Sequence, residues 1–336
     1  MAQKIHLLTF PLPGMAGAMA QMFEAAGWDG VYFADTQNLA GDVFVSLGLA
    51  AAATEKMTLA TGVTNPVTRH PAVTASAIAT VQAASGGRAV LGIGRGDSSL
   101  GFLGRKPARV AEFEAFLVRL RAFLHGEEAD LGDAKSRNQW IAESPFPPVP
   151  IDVAATGPKV TAIAARHADR VTLAVGADPE RLRASIALVR AEREAAGLDP
   201  ASVAIGAYVN AVAHPDVAMA RSIVRGSTAT FAHFSGMAGA PRKEGQAGEV
   251  FESLGRDYDM SVHATAGARH AQAIPDEFLD RFSVAGSSDY CVQRLSELID
   301  TGVDHLVLVP GSRDADQGEL MGSMARLASE VLPRLR

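Results

Sequence analysis

The sequence predicts an α/β fold, a (β/α)8 barrel of eight parallel strands with helices outside. Three observations carry this reading. Eight apolar, strand-like runs alternate with helical segments; two of those runs end in glycine-rich turns; and 336 residues suit one barrel. Strict alternation implies parallel strands joined by crossovers, and eight units close the ring. A doubly wound open sheet is the competing arrangement.

Each unit follows from local pattern. The strand Ile5 to Phe10 precedes a helix around Met15 to Ala26. Gly30 to Ala34 precedes Asp42 to Ala53, where Asp42 suits a helix N-cap. Met57 to Thr61 leads into Pro71 to Ala84, and Ala89 to Ile93 into Ala108 to Leu124. Pro150 to Ala154 leads into Lys159 to His167, and Val171 to Val175 into Pro179 to Ala196. Val203 to Val209 leads into Asp216 to Ser227, and His305 to Val309 into Gly318 to Leu335.

Two segments break the rhythm of this single domain, which spans 1–336. Residues 126–148 form an excursion after the fourth helix, where Pro145, Pro147 and Pro148 enforce extended backbone. Residues 230–282 form a longer insertion between the seventh and eighth strands. It holds His233, His263 and His270 beside Phe231, Phe234, Met237, Phe251 and Tyr258, enough apolar surface to pack as a lid over the active site.

Composition narrows the function classes. A net charge of −6 offers no basic face for nucleic acid, and a single cysteine, Cys291, allows no intrachain disulfide. The first ten residues lack the apolar core and cleavage site of a signal peptide, and no apolar run approaches membrane-spanning length. A soluble cytoplasmic protein acting on a small molecule is the expectation. The helices Asp42 to Ala53 and Pro71 to Ala84 carry no charged stripe, which predicts a homodimer packed through both. Burial beneath the chain's own excursions is the alternative.

The chemistry concentrates at strand ends. Gly62-Val63-Thr64-Asn65-Pro66 after Thr61, and Gly92-Ile93-Gly94-Arg95-Gly96-Asp97, form two turns on adjacent strands where a flat, hydrogen-bonding ring could rest. The second is no dinucleotide fingerprint, because Asp97 stands where the third glycine of G-x-G-x-x-G belongs. Thr156-Gly157-Pro158-Lys159 joins a strand end to a helix start, with free N–H groups and a lysine suited to an anion; an ordinary helix start reads the same. Val175-Gly176-Ala177 is a second candidate turn, whereas Gly286-Ser287-Ser288 reads as a structural cap. His70, before Pro71, also reads as structural. The nine histidines form no metal-binding motif, and no Gly-x-Ser-x-Gly elbow appears.

These paired glycine turns resemble those of the luciferase-like family of flavin and deazaflavin oxidoreductases, most of all its methylenetetrahydromethanopterin reductase-like branch. The resemblance is strongest over Gly27 to Arg109 and Ala154 to Asp178. It implies a luciferase-like barrel that binds coenzyme F-420, or FMN, and transfers hydride to or from a small organic substrate. It also implies a cis peptide or bulge at Gly62-Val63, with Val63 against the ring. The cofactor contacts it implies are Asp35, Thr61 to Asn65, Gly94 to Asp97, Thr156 to Lys159 and Val175 to Ala177, the last two turns near a phosphate. Many relatives carry a catalytic histidine after the aspartate matching Asp35, but here Thr36 occupies that place, so no catalytic residue is assigned. The alternatives are an FMN-dependent monooxygenase using oxygen, a non-redox phosphate-binding isomerase or aldolase, and a cofactor-free binding protein.

Overall fold

Eight parallel strands close on themselves in the computed structural model, which describes residues 3–238 and 246–336. The barrel strands are β1 (Lys4–Thr9), β2 (Gly30–Phe33), β3 (Thr58–Thr61), β4 (Ala89–Ile93), and then β7 (Ile151–Ala155), β8 (Arg170–Leu173), β9 (Ala204–Ala213) and β11 (His305–Val309). Closure is made where β11 pairs with both β9 and β1, as in Ile5 with Leu306, and where β8 pairs with β9. The open-sheet alternative is thereby excluded.

The outer helices begin where the sequence places caps. In α1 (Ala16–Ala25) no side chain caps the start, but the Asp42 carboxylate accepts from the Phe44 and Val45 amides to open α2 (Val43–Ala53). His70 Nδ1 accepts from the Ala72 amide at the start of α3 (Pro71–Ala84). A short α4 (Ser98–Gly101) precedes α5 (Val110–Leu124). The excursion contains a two-residue hairpin, β5 (Ala129–Asp130) with β6 (Lys135–Ser136), and α6 (Gln139–Ala142). It rests on α3: Asn138 Nδ2 donates to the Ala72 carbonyl, and Gln82 Nε2 to the Pro147 carbonyl. Then come α7 (Pro158–His167) and α8 (Pro179–Ala195), the latter capped by Asp178.

The structure departs from the sequence reading after β9. The helix read as ending at Ser227 runs unbroken as α9 (Val217–Met237), so the insertion starts inside a helix. It continues through α10 (Gln246–Asp257), a 3-10 turn Met260–Val262, α11 (Arg269–Gln272) and α12 (Asp276–Phe282). A three-residue strand, β10 (Val284–Gly286), then pairs with the end of β9, Val284 with Ala211, and α13 (Ser288–Ile299) follows under the Ser287 cap. The last helix is shorter than expected: α14 (Gln317–Arg326) gives way to a π turn at Leu327–Val331.

A polar layer fills the barrel interior near the strand starts. Tyr32 Oη donates to Asp152 Oδ2 at 3.1 Å, and Arg170 Nη2 donates to Tyr32 Oη at 3.1 Å. Thr172 Oγ1 donates to Asp152 at 2.7 Å, which leaves His305 Nε2, 2.9 Å away, to donate to Thr172. His305 Nε2 therefore carries a hydrogen. Burial and the neighbouring Arg170 hold His305 well below the usual histidine range.

Candidate active site

A cavity of about 680 Å³ opens at the C-terminal ends of the strands, where barrel enzymes place their chemistry. Leu8 of β1, Ala154 of β7, Tyr208 of β9 and Val309 of β11 line its barrel side. The β3 and β4 turns supply Gly62, Val63 and Gly94 to Asp97. The start of α7 supplies Thr156 to Lys159. Phe231, Phe234 and Met237 of α9 lie across from them, with His263 and Ala264.

The Gly62–Val63 peptide bond is cis, as the resemblance implied, and Val63 lines the cavity. Its surroundings are tied down by side chains. Thr61 Oγ1 donates to the Gly92 carbonyl at 2.6 Å, and Thr64 Oγ1 to Asp35 Oδ2 at 2.6 Å. Asn65 Oδ1 accepts from the Val67 and Thr68 amides, while its Nδ2 donates to Ser99 Oγ. Arg69 binds Asp35 at 2.5 Å and Asp42 at 2.9 Å, joining the β2 and β3 turns.

The predicted site residues thus fall into three groups. Asp35, Gly62, Val63, Gly94, Arg95, Gly96, Asp97, Thr156, Gly157, Pro158 and Lys159 line the cavity together. Thr61, Thr64 and Asn65 sit behind that surface, fully or almost fully buried, and brace the turns. Val175, Gly176 and Ala177 are not brought to the cavity. Gly176 has φ +84°, and a Cβ there would lie 2.4 Å from the Phe282 ring. The Ala177 amide donates to the Phe282 carbonyl, and Arg281 pairs with Asp178. The end of α12 therefore closes this turn.

At the rim, the first turn of α7 leaves amides without intrahelical partners beside the exposed Lys159. Lys159 forms no ion pair among the described residues. Arg95 Nε is committed to the Ala108 carbonyl at 2.6 Å. Thr36 and Ser98 share a hydrogen bond of 3.0 Å. Among the described residues, two buried polar atoms in lining residues, Tyr208 Oη and Asp97 Oδ2, have no hydrogen-bond partner. No three His, Cys, Asp or Glu side chains converge as a metal site among the described residues.

Sequence reasoning missed the polar groups of Tyr208, Thr230, Tyr258 and His263. Tyr258 Oη lies 2.8 Å from Thr230 Oγ1 and 2.9 Å from His263 Nδ1. The available signal was the cluster of histidines and aromatics in the insertion, which carries no spacing rule linking it to the strand ends.

Comparison with known proteins agrees with this geometry. The family model described as luciferase-like monooxygenase matches residues 12–305. The chain is 30% identical to a 5,10-methylenetetrahydromethanopterin reductase from Methanolobus tindarius, over 86% of this chain and 87% of that one. It is 29% identical to an F-420-dependent glucose-6-phosphate dehydrogenase from Beutenbergia cavernae, over 95% and 92%. Among solved structures, the coenzyme F-420-dependent tetrahydromethanopterin reductase of Methanopyrus kandleri shares the fold. Its TM-score is 0.71 at 22% identity, covering 100% of this chain and 99% of that one. On the barrel, the cavity at its strand ends and these matches, the chain belongs to the luciferase-like monooxygenase family.

Proposed function

We propose that the protein is a coenzyme F-420-dependent oxidoreductase that moves hydride to or from a small organic substrate in the strand-end cavity. The family comprises oxidoreductases that use flavin or 5-deazaflavin, and the named dependence on coenzyme F-420 of a relative matched over 92% of its length favours the deazaflavin. The observation that carries the reading is an apolar slot beside backbone-rich turns. Val63, Leu8, Ala154 and Val309 offer apolar contact, and the turn Gly94 to Asp97 and the start of α7 line the same cavity. A ring bearing carbonyl and N–H groups, with a phosphate tail, answers both.

When bound, the cofactor supplies a ring centre that accepts or releases hydride. The chain's own residues supply position and exclusion of water. Val63 would bear against the ring. Lys159 and the free amides at the start of α7 hold a phosphate. The aromatics of α9 keep solvent from the reacting face, and the insertion is proposed as the lid that includes them.

The isomerase or aldolase reading needs a catalytic lysine or glutamate at a strand end; Lys159 instead lies exposed at the rim, and no glutamate lines the cavity among the described residues. Reduced FMN with oxygen, the chemistry in the family's name, is the competing redox reading. Titrating the protein with coenzyme F-420 and with FMN separates the two: tighter binding of FMN, or binding of neither, sinks the proposal.

The proposal extends to a homodimer. The excursion covers part of α3, which narrows the predicted face, but Val45 and Leu49 on α2 and Val73 on α3 remain 66%, 45% and 57% exposed. No helix among the described residues is long and apolar enough to cross a membrane. A cytoplasmic location is part of the proposal, supported by the single free cysteine, Cys291.

A further inference from the structure

Three groups from separate stretches meet beside the cavity: Thr230 of α9 and His263 after the 3-10 turn, which line it, and Tyr258 just after α10, which joins them. Tyr258 is clamped between two imidazoles, stacked on His233 at 4.1 Å and tilted against His270 at 4.3 Å. Both flanking histidines use Nδ1 elsewhere, His233 on the Leu254 carbonyl and His270 on the Asp259 amide. His263 is different. Its Nδ1 meets Tyr258 Oη, and its Nε2 has no hydrogen-bond partner among the described residues, nor is it sealed from the cavity its residue lines.

Counting hydrogens shows what this chain of atoms can do. Tyr258 Oη has one proton and already accepts from the Ala264 amide at 3.2 Å. The Thr230 hydroxyl has two destinations, the Gly226 carbonyl at 3.2 Å and Tyr258 Oη at 2.8 Å. If Thr230 donates to Tyr258, then Tyr258 donates to His263 Nδ1, and Nε2 presents a hydrogen to the cavity. If Thr230 donates to Gly226, then Tyr258 donates to Thr230, His263 Nδ1 donates to Tyr258, and Nε2 presents a lone pair. Both arrangements satisfy every partner. The orientation of the two hydroxyls therefore selects the tautomer, and passing from the first arrangement to the second also takes a proton from Nε2 and places one on Nδ1 by exchange with solvent.

We propose that His263 is the catalytic acid–base of this cavity, with Tyr258 and Thr230 as positioning residues that set its tautomer, and that the substrate is a small uncharged alcohol–carbonyl pair. This rests on the redox reading above. In the oxidising direction the substrate O–H bond breaks and its proton goes to His263 Nε2. The adjacent C–H bond breaks with its electron pair, which leaves as hydride to the deazaflavin ring, and the C=O bond forms. Reduction runs the same steps backwards, Nε2 returning the proton to oxygen. On its α9 side the cavity is lined by Phe231, Phe234 and Met237, which suits an uncharged substrate. Among the charged and titratable groups around His263, Asp97 favours its cation, whereas Arg313, His233 and His270 oppose it. Burial outweighs these and lowers its pKa to about 4, so the imidazole is neutral near pH 7 and free to accept.

The test combines turnover with a readout that needs no substrate. Coenzyme F-420 reduction is followed with 2-propanol, 2-butanol and cyclohexanol as probes, for the parent, His263→Gln, His263→Ala and Tyr258→Phe. His263→Gln is expected to lose at least about a hundredfold in kcat while its coenzyme F-420 Kd stays within about threefold of the parent. Added imidazole is expected to restore part of the His263→Ala rate, and Tyr258→Phe to move the acid limb of the pH profile. Nitrogen NMR of histidine-labelled free protein is expected to show His263 neutral to about pH 4, with a tautomer balance that shifts in Tyr258→Phe. Unchanged kcat and pH profile in His263→Gln overturn the catalytic role. A parent that binds coenzyme F-420 but oxidises none of the probes overturns the substrate class. A parent that binds neither cofactor overturns the redox reading and this role with it, while the NMR result still decides whether the Tyr258–His263 pair sets the tautomer.

Discussion

Replacing Lys159 by alanine isolates the anion contact that the cofactor proposal requires. The ammonium is exposed at the first turn of α7, beside amides that no carbonyl of the helix satisfies. Two unit charges 4 Å apart attract by about 1 kcal/mol in bulk water and about 4 kcal/mol at an effective dielectric of 20. Lys159 lies at the solvent end of that range, and ordering its side chain offsets part of the gain, leaving about 1–2 kcal/mol. Coenzyme F-420 affinity should therefore fall about five- to thirtyfold. The remaining phosphate binding would come from the helix amides, which the substitution leaves in place. Fluorescence titration of coenzyme F-420 against parent and variant at low and high salt measures this, and the gap should shrink as salt rises. Thermal stability should be unchanged, since Lys159 has no ion-pair partner among the described residues. Equal affinities at low salt would refute the argument and move the phosphate away from α7.

Acid should destabilise the protein in a window set by buried histidines. Burial lowers His6 to about 3 and His263 to about 4, against 6.5 for an ordinary histidine. The unfolded chain thus takes up protons as pH falls below about 6.5 while the folded chain does not, so stability is full above that pH and lost below it. At pH 5 the loss is about 2 kcal/mol for each of the two, read by urea unfolding at pH 7.5 and 5.0; equal or greater stability at pH 5.0 contradicts it. The dimer proposal predicts sedimentation of the parent as a dimer at micromolar concentration and of Val45→Glu with Leu49→Glu as a folded monomer. A monomeric parent removes it.

Much of the fold is legible in the sequence because barrel strands are buried and short, and turn residues mark their ends. Asp42 and Pro71 open helices where local chemistry places them. The course of α9 is not legible. Gly226-Ser227 reads as a helix stop, yet Gly226 is there because a Cβ would lie 2.4 Å from the Thr265 backbone crossing it. A close approach and a helix end leave the same residue in the sequence. The site divides on the same line. Gly62, Val63 and Gly94 to Asp97 belong to neighbouring strands of one unit, so their meeting follows from local order. Gly176 also sits in a strand-end turn, but Phe282, more than one hundred positions later, covers it. His263 reaches the cavity, with Tyr258 bonded to it, only through the folded path of the insertion.

The account's central claim is that the strand-end cavity binds a deazaflavin for hydride transfer. Side-by-side equilibrium titration of the purified parent protein with coenzyme F-420 and with FMN tests it most directly. The account predicts saturable binding of coenzyme F-420 with a Kd in the micromolar range or below, at least about tenfold tighter than FMN, a difference of about 1.4 kcal/mol. Binding of FMN alone would assign the cavity to flavin and oxygen, and binding of neither would contradict the claim outright.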